Sequence, residues 1–381
     1  MAAAPLVDDA ALTGQFGETS VYVSRLALQL FRSHTRFVWQ ADAPGPVWVQ
    51  GPNGSGKTNL LEALSCVAPG RGLRGTPVKE LGALQANGRF ADWAVACTWQ
   101  GPGGLCDLRL SSKGGARAVQ MNGTSLRRQL DLTHHVAALW VTPLMDLLFR
   151  EGASARRRFL NRLLVSLDPL YGALLLTYEK ALQEWRALLE QGTAFDSWPQ
   201  GLQRVIAQRG TLLVKRRAQW LEKVLETIQA ENLCDRPVRL ALEGAVEERY
   251  QQVPDQLEQA FLEKLEFARN TYHKAGRRPF GFGPHVSKIN AWYDDKPIGC
   301  CSTGEQKMVL LALVLAAAYR RAANAPDLPF FLLLDELPAH LDAARLAHVL
   351  SKLVRSPLQA WVTSTDSPPA HATFCPQLLT F

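Results

Sequence analysis

The chain has 381 residues, 47% of them apolar and 20% charged, a balance that excludes a disordered chain and a coiled-coil rod. One hydrophobic core stops growing near roughly 250–300 residues, so two lobes are expected. Forty-two Lys and Arg against 35 Asp and Glu leave a net charge of +7, a surplus that suits a polyanionic partner.

Residues 1–20 contain Asp8, Asp9 and Glu18 but no Lys or Arg. That is unlike the basic start of a secretory signal, and the segment reads as a flexible tail. From Val21 to Leu110, short β-prone runs such as Val47-Trp48-Val49 and Trp93 to Trp99 alternate with Gly- and Pro-containing breaks, and residues 21–150 are expected to form the first part of an α/β lobe. From Phe159 to Tyr272 apolar residues recur at three and four: Leu174, Tyr178, Ala181/Leu182, Trp185, then Val205/Ile206, Leu212/Leu213, Trp220/Leu221. This spacing predicts an inserted, mainly helical lobe over 151–280. Gly192 to Gly201 and Asp235 to Pro254 break it, so no long coiled coil can grow. After Gly281 the α/β signals resume, and 281–381 is read as the second part of the first lobe. The longest apolar run, Met308 to Ala318, is far below the roughly 20 residues that span a bilayer, so no membrane association is expected. Seven cysteines without a C-x-x-C pair fit a reduced, cytoplasmic compartment without structural zinc.

Three motifs carry chemistry. Gly51-Pro52-Asn53-Gly54-Ser55-Gly56-Lys57-Thr58 fits the P-loop pattern, with a β-prone run before it and a helical run from Asn59 after it. Its glycines let backbone N–H groups close around phosphate oxygens; Lys57 reaches the β/γ-phosphates and the Thr58 hydroxyl takes a Mg²⁺ position. Phe330-Phe331-Leu332-Leu333-Leu334-Asp335-Glu336 reads as a strand buried on both faces that delivers two carboxylates at its C-terminal end. Asp335 would hold Mg²⁺ through water, and Glu336 would orient or deprotonate the attacking water. Ser302-Thr303-Gly304-Glu305-Gln306-Lys307, ahead of the helical run Met308 to Arg321, makes a second anion site at a helix start.

In this order, followed by Ala339-His340-Leu341-Asp342, the motifs resemble the ABC-type ATPases of chromosome maintenance and, within them, the RecF family of bacterial DNA replication and repair proteins. Leu30-Phe31-Arg32-Ser33-His34, Gly152 to Asn161 with Arg156-Arg157-x-Phe159-Leu160, and Gly283-Pro284-His285 look like three further elements of that family. The resemblance implies an ABC-type P-loop ATPase lobe with an inserted helical lobe, ATP and Mg²⁺ as cofactors, and an ATP-dependent homodimer. In that dimer Ser302 and Gly304 of one protomer, with Glu305 and Gln306 beside them, cover the γ-phosphate bound to the other, and Asp342 lies at the same interface. It also implies binding to DNA at gaps or single-strand/double-strand junctions, and work with RecR and RecO in loading a recombinase.

The chain departs from the family pattern at Asn161, where the family has Asp, at Ala153 in place of Pro, and at Lys288 where an acid often follows Gly-Pro-His. The run Ala360 to Thr365 lacks the His that many ABC ATPases place near the γ-phosphate, which implies slow, DNA-stimulated turnover. Asp146 is a weak candidate for the Gln-loop position. The alternative with the same motif order is the ATPase subunit of a membrane transporter, or another chromosome-maintenance ATPase. Basic residues cluster at Arg127-Arg128, Arg156-Arg157-Arg158 with Arg162, Lys215-Arg216-Arg217, Arg277-Arg278 and Arg320-Arg321. Arg156, Arg157, Arg158, Lys215, Arg216 and Arg217 are the leading candidates for phosphate contacts; for each cluster, a solvated or ion-paired helix face is the competing explanation.

Overall fold

A computed structural model describes residues 21–126, 129–191, 198–272, 280–355, 359–369 and 376–381. The expected tail and the clusters Arg127-Arg128 and Arg277-Arg278 lie outside the described residues. The chain divides into two compact units: the first runs to Asp146 and takes up Glu231–Asp235 and Thr303–Phe381, and the second holds Leu147–Ala230 and Arg236–Ser302.

The first unit opens with β1 (Tyr22–Phe31), β2 (His34–Gln40), β3 (Val47–Gln50), α1 (Lys57–Val67), β4 (Ala94–Gly101), β5 (Gly104–Lys113), β6 (Ala116–Met121), β7 (Thr124–Ser125) and β8 (Ala137–Val141). Six of these strands form an antiparallel sheet in the order β2-β1-β4-β5-β6-β7. Their side chains alternate in and out, as a half-buried sheet requires. The inward residues Leu26, Leu28, Val95, Cys97, Leu108 and Leu110 share one core with Leu60, Leu61 and Leu64 of α1.

The second unit contains α2 (Ala153–Leu167), α3 (Pro169–Gln191), α4 (Trp198–Ala230), β9 (Val238–Glu243), α5 (Ala245–Gln252), α6 (Leu257–Thr271), β10 (Lys288–Tyr293) and β11 (Lys296–Pro297). The helical period read from the sequence becomes its core: Leu174, Tyr178, Ala181, Leu182 and Trp185 of α3, and Ile206, Leu213, Trp220, Val224 and Ile228 of α4, are buried. The unit also holds a small antiparallel sheet, β11-β10-β9. Its β9 lies where the sequence suggested only a connection between helices, because Val-Arg-Leu-Ala-Leu-Glu is a short, half-exposed run that becomes a strand only by pairing with β10. For the same reason residues 281–302, read as part of the other lobe, fall in this unit.

The chain then returns to the first unit as α7 (Thr303–Asn324), β12 (Phe330–Leu334), α8 (Ala343–Arg355), β13 (Gln359–Ser364) and β14 (Gln377–Thr380). The core sheet is parallel throughout, in the order β14-β3-β13-β12-β8. β8, β12 and β13 are buried at every residue, hence their continuous apolar runs. α7 is buried all round from Met308 to Tyr319. In this order β13 lies between the strand entering the P-loop and the strand carrying Asp335, and the C-terminal ends of all three point the same way.

Candidate nucleotide site

Residues 51–56 turn from β3 into α1 through Gly54 and Gly56, at φ +82° and +102°. A Cβ on Gly56 would lie 2.8 Å from the His34 ring and 2.9 Å from Ser33 Oγ, so glycine is required both by the backbone angle and by the approach of the β1–β2 turn. His34 Nε2 donates to the Gly56 carbonyl at 3.1 Å, and its burial lowers its pKa, which favours the neutral ring. Lys57 is buried, its Nζ donating to the Gly51 carbonyl at 2.7 Å and the Pro52 carbonyl at 2.9 Å. The ammonium is thus held over the loop, where an arriving phosphate replaces carbonyl acceptors with charged ones. Asn53, Gly54, Gly56, Lys57, Thr58, Asn59, Arg74 and Glu336 line a cavity of about 250 Å³ beside it.

β13 binds the two motifs together. Thr58 Oγ1 donates to the Asp335 carboxylate at 3.0 and 3.1 Å. Thr363 Oγ1 donates to Asp335 Oδ1 at 2.8 Å and accepts the Glu336 N–H at 2.8 Å. Glu336 stands at φ +49°, a left-handed turn that carries the chain off the strand end. Thr58 and Asp335 form an all-oxygen donor set at the mouth of the phosphate loop, which suits Mg²⁺: that ion needs only one or two protein oxygens beside substrate phosphates and water. Thr363 was not singled out in the sequence; its signal was only its place on the strand after the acidic one.

Behind the loop, the fully buried Glu62 of α1 collects three partners. Arg32 meets it with Nε at 2.8 Å and Nη2 at 2.9 Å, Arg74 at 3.0 Å, and Thr76 at 3.2 Å. Arg74 also donates to Asn59 Oδ1 at 2.8 Å. Arg32 of the Phe-Arg element thereby fixes α1 from inside, and Arg74 connects that network to the cavity. Glu62 and Arg74 carry no sequence signal of their own.

The third motif divides into an outward and an inward half. Ser302 is exposed, whereas Gln306 and Lys307 are 1% exposed, so Gln306 is a core side chain of α7 and the sequence expectation that it covers a nucleotide is corrected. A Cβ on Gly304 would lie 2.9 Å from the His340 carbonyl; the glycine lets the start of α7 touch the turn that follows β12. Lys307 donates to the carbonyls of Glu336 at 3.3 Å and Ala339 at 2.6 Å, and lies 3.6 Å from Asp146 Oδ2. Burial lowers its pKa, while Asp146 opposes the shift. His340 Nδ1 reaches the same carboxylate at 3.0 Å. Asp342 caps α8, accepting the Arg345 N–H at 2.8 Å.

The basic clusters of the second unit are largely engaged within it. Arg217, 1% exposed, donates to Tyr171 Oη at 2.9 Å, the Pro284 carbonyl at 2.5 Å and Asn161 Oδ1 at 2.8 Å. It cannot reach a phosphate, and its assignment to a DNA surface is corrected: successive helix positions point about 100° apart, so a triplet cannot share one face. Arg216 is paired with Asp168, Arg157 donates to the Ser287 carbonyl at 3.0 Å, and Arg156 to the Glu151 carbonyl at 2.8 Å. Lys215 is half-buried, and of these six only Arg158 is exposed. Asn161 supplies an amide oxygen to both Arg217 and Tyr171. His285 of Gly-Pro-His lies 2.7 Å from Tyr178 Oη and 2.9 Å from the Phe280 carbonyl, and burial pulls its pKa down to about 4.

The RecF/RecN/SMC N terminal domain family matches residues 22–373. The chain is 34% identical over 357 residues to the DNA replication and repair protein RecF of Mesorhizobium japonicum, which covers 91% of this chain and 92% of that protein. This chain belongs to the RecF family. A second family member, from Brucella suis, is 36% identical over 353 residues, 91% of this chain and 90% of that protein. Among solved structures, one titled as the recombination mediator protein RecF with ATP in the RecFOR pathway superposes with a TM-score of 0.77 at 20% identity, over 94% of this chain and 95% of that one. An SMC head bound to the C-winged helix domain of ScpA gives 0.52 at 17% identity, over 91% and 90%. These two show the fold alone, an α/β lobe with a helical insertion. The family membership supports the replication-and-repair reading over a transporter subunit, and among the described residues no helix is long and apolar enough to cross a membrane.

Proposed function

We propose that this RecF-family chain is an ATP-dependent DNA-binding protein of replication and recombinational repair in the cytoplasm, which dimerises on ATP at gapped or junction DNA and helps RecO and RecR load a recombinase. The observation that carries the reading is the convergence of Lys57, Thr58 and Glu336 on one cavity at the end of a parallel sheet, with Asp335 hydrogen-bonded to Thr58. The loop N–H groups and Lys57 bind the phosphates. Thr58 and Asp335 hold Mg²⁺, which when bound offsets phosphate charge. Glu336 lines the cavity and orients or deprotonates the attacking water. Thr363, in place of the usual His region, spends its hydroxyl on Asp335 and the Glu336 backbone; this supports slow hydrolysis that times release of a dimer. Exposed Ser302, at the head of α7, supports a contact in trans to the partner's γ-phosphate.

Glu336→Gln tests the reading. ATP binding should persist, hydrolysis should fall at least about a hundredfold, and an ATP-bound dimer should accumulate. Hydrolysis at the parent rate would remove Glu336 from the mechanism.

A further inference from the structure

Most of the leading basic side chains of the second unit are engaged by groups of that unit, whereas one face of the first unit leaves two arginines without an ion pair among the described residues. The inner face of the six-stranded sheet is core; the outer face is set out by strand register. Gln40, Arg25, Thr98 and Asp107 make one cross-strand row. Val38, Ala27, Ala96, Arg109 and Gln120 make the next, and Arg36, Gln29, Ala94, Ser111 and Ala118 the third. Alternation places all of these on one side, because the residues between them, such as Leu26, Leu28, Val95, Cys97, Leu108 and Leu110, are buried on the other.

This face is concave over β1, β2 and β4, with a cavity of about 540 Å³ lined by Arg25, Ala27, Arg36, Val38, Ala94 and Ala96 among others. Its lining combines the small side chains Ala27, Ala94 and Ala96 and the cations Arg25 and Arg36 with the apolar Leu28, Leu30, Phe37 and Val38. Arg25 and Arg36 are exposed, and among the described residues neither makes an ion pair. Asp107 is the one acid at the outward positions in these rows, and it already accepts from Arg109 at 2.7 Å and Thr98 at 3.2 Å. By strand spacing and rise, Arg25, Arg36 and Arg109 have backbones roughly 12–16 Å apart, of the order of the ≈12 Å width of a major groove. The aromatic in the cavity lining, Phe37, stands at an inward register position with its ring against His34 and Phe381, and no aromatic stands at the outward positions for bases to stack on, which disfavours single strands; amides at Gln29, Gln40 and Gln120 are further phosphate donors.

We propose that the outer face of β2-β1-β4-β5 is the docking surface for the phosphate backbone of double-stranded DNA, with Arg25 and Arg36 as its principal contacts. The inference rests on the proposed function and locates the duplex arm of the junction on the first unit. It predicts backbone recognition without sequence preference, since no base-reading element is present.

The test is binding of a labelled duplex with ATP across a salt series, for the parent, for Arg25→Gln/Arg36→Gln, and for Ala96→Glu, which puts an acid in the cavity lining. Melting temperature and ATP affinity, both independent of this face, are measured alongside. Expected is a drop of about 1 to 2 in the slope of log affinity against log salt for the double variant, at roughly 0.9 per lost contact, with weaker binding also in Ala96→Glu. If the parent binds duplex DNA and both variants match its slope and affinity, the surface assignment fails and the face belongs to a protein partner. If the parent binds no DNA with ATP, the proposed function fails and takes this inference with it.

Discussion

The phosphate loop and the Gly-Pro-His region both gather buried cations, with opposite results. In the first unit Lys57 is held by two main-chain carbonyls beside an open cavity, so its charge can be redirected to a ligand. In the second, Arg217 is closed in by Tyr171, Pro284, Asn161 and Ser287, and every acceptor it meets is part of the fold. A basic motif is therefore a binding site only where its partners can be exchanged; where they cannot, it is architecture.

The comparison is sharpened by removing each cation. Arg217→Met removes the donor from four buried acceptors, of which Tyr171 and Asn161 keep each other and Ser287 keeps Glu247, and should cost about 4 kcal/mol of stability, at roughly 1–3 kcal/mol for an unsatisfied group. Arg158→Ala, on the exposed side of the same kind of cluster, should stay within about 0.5 kcal/mol. Equal melting temperatures for these two variants would break the distinction. Lys57→Ala should behave inversely: a loss of ATP affinity of about a hundredfold or more, equivalent to roughly 3 kcal/mol, with little change in melting. Unaltered affinity by calorimetry would refute the loop assignment.

A smaller effect concerns His285. Burial holds its pKa at about 4 in the fold against an ordinary 6.5, so the unfolded chain binds the extra proton first. Stability from this group is present above pH 6.5 and is lost as pH falls towards 4, by about 3 kcal/mol. Denaturant titrations should show that acid-side loss in the parent and a shallower one in His285→Gln; identical slopes would mean the ring is not held neutral.

What was legible in the sequence is what one local segment encodes. The P-loop needs glycines at fixed offsets, and a strand buried on both faces needs an unbroken apolar run, so β3, β12 and their motif residues could be read directly. Thr363, Glu62 and Arg74 could not, because each matters through a neighbour far along the chain: β13 inserts beside β12, and Glu62 meets Arg32 across α1. The arginine triplets misled for the same reason. Composition shows charge but not its direction, and only the packing of α4 and α2 reveals that Arg217 on α4 is buried while Arg158 on α2 is exposed. β9 escaped notice because its pairing with β10 bridges more than forty residues.

The central claim is that ATP binding joins two copies through the outward half of the third motif. Sedimentation of the parent and of Ser302→Arg, each with and without ATP and gapped DNA, tests it directly. The account predicts a parent that is monomeric without nucleotide and dimeric with ATP, and a variant that binds ATP as tightly but stays monomeric, because its cation occupies the partner's γ-phosphate position. A variant that dimerises like the parent, or a parent whose mass ignores ATP, would contradict it.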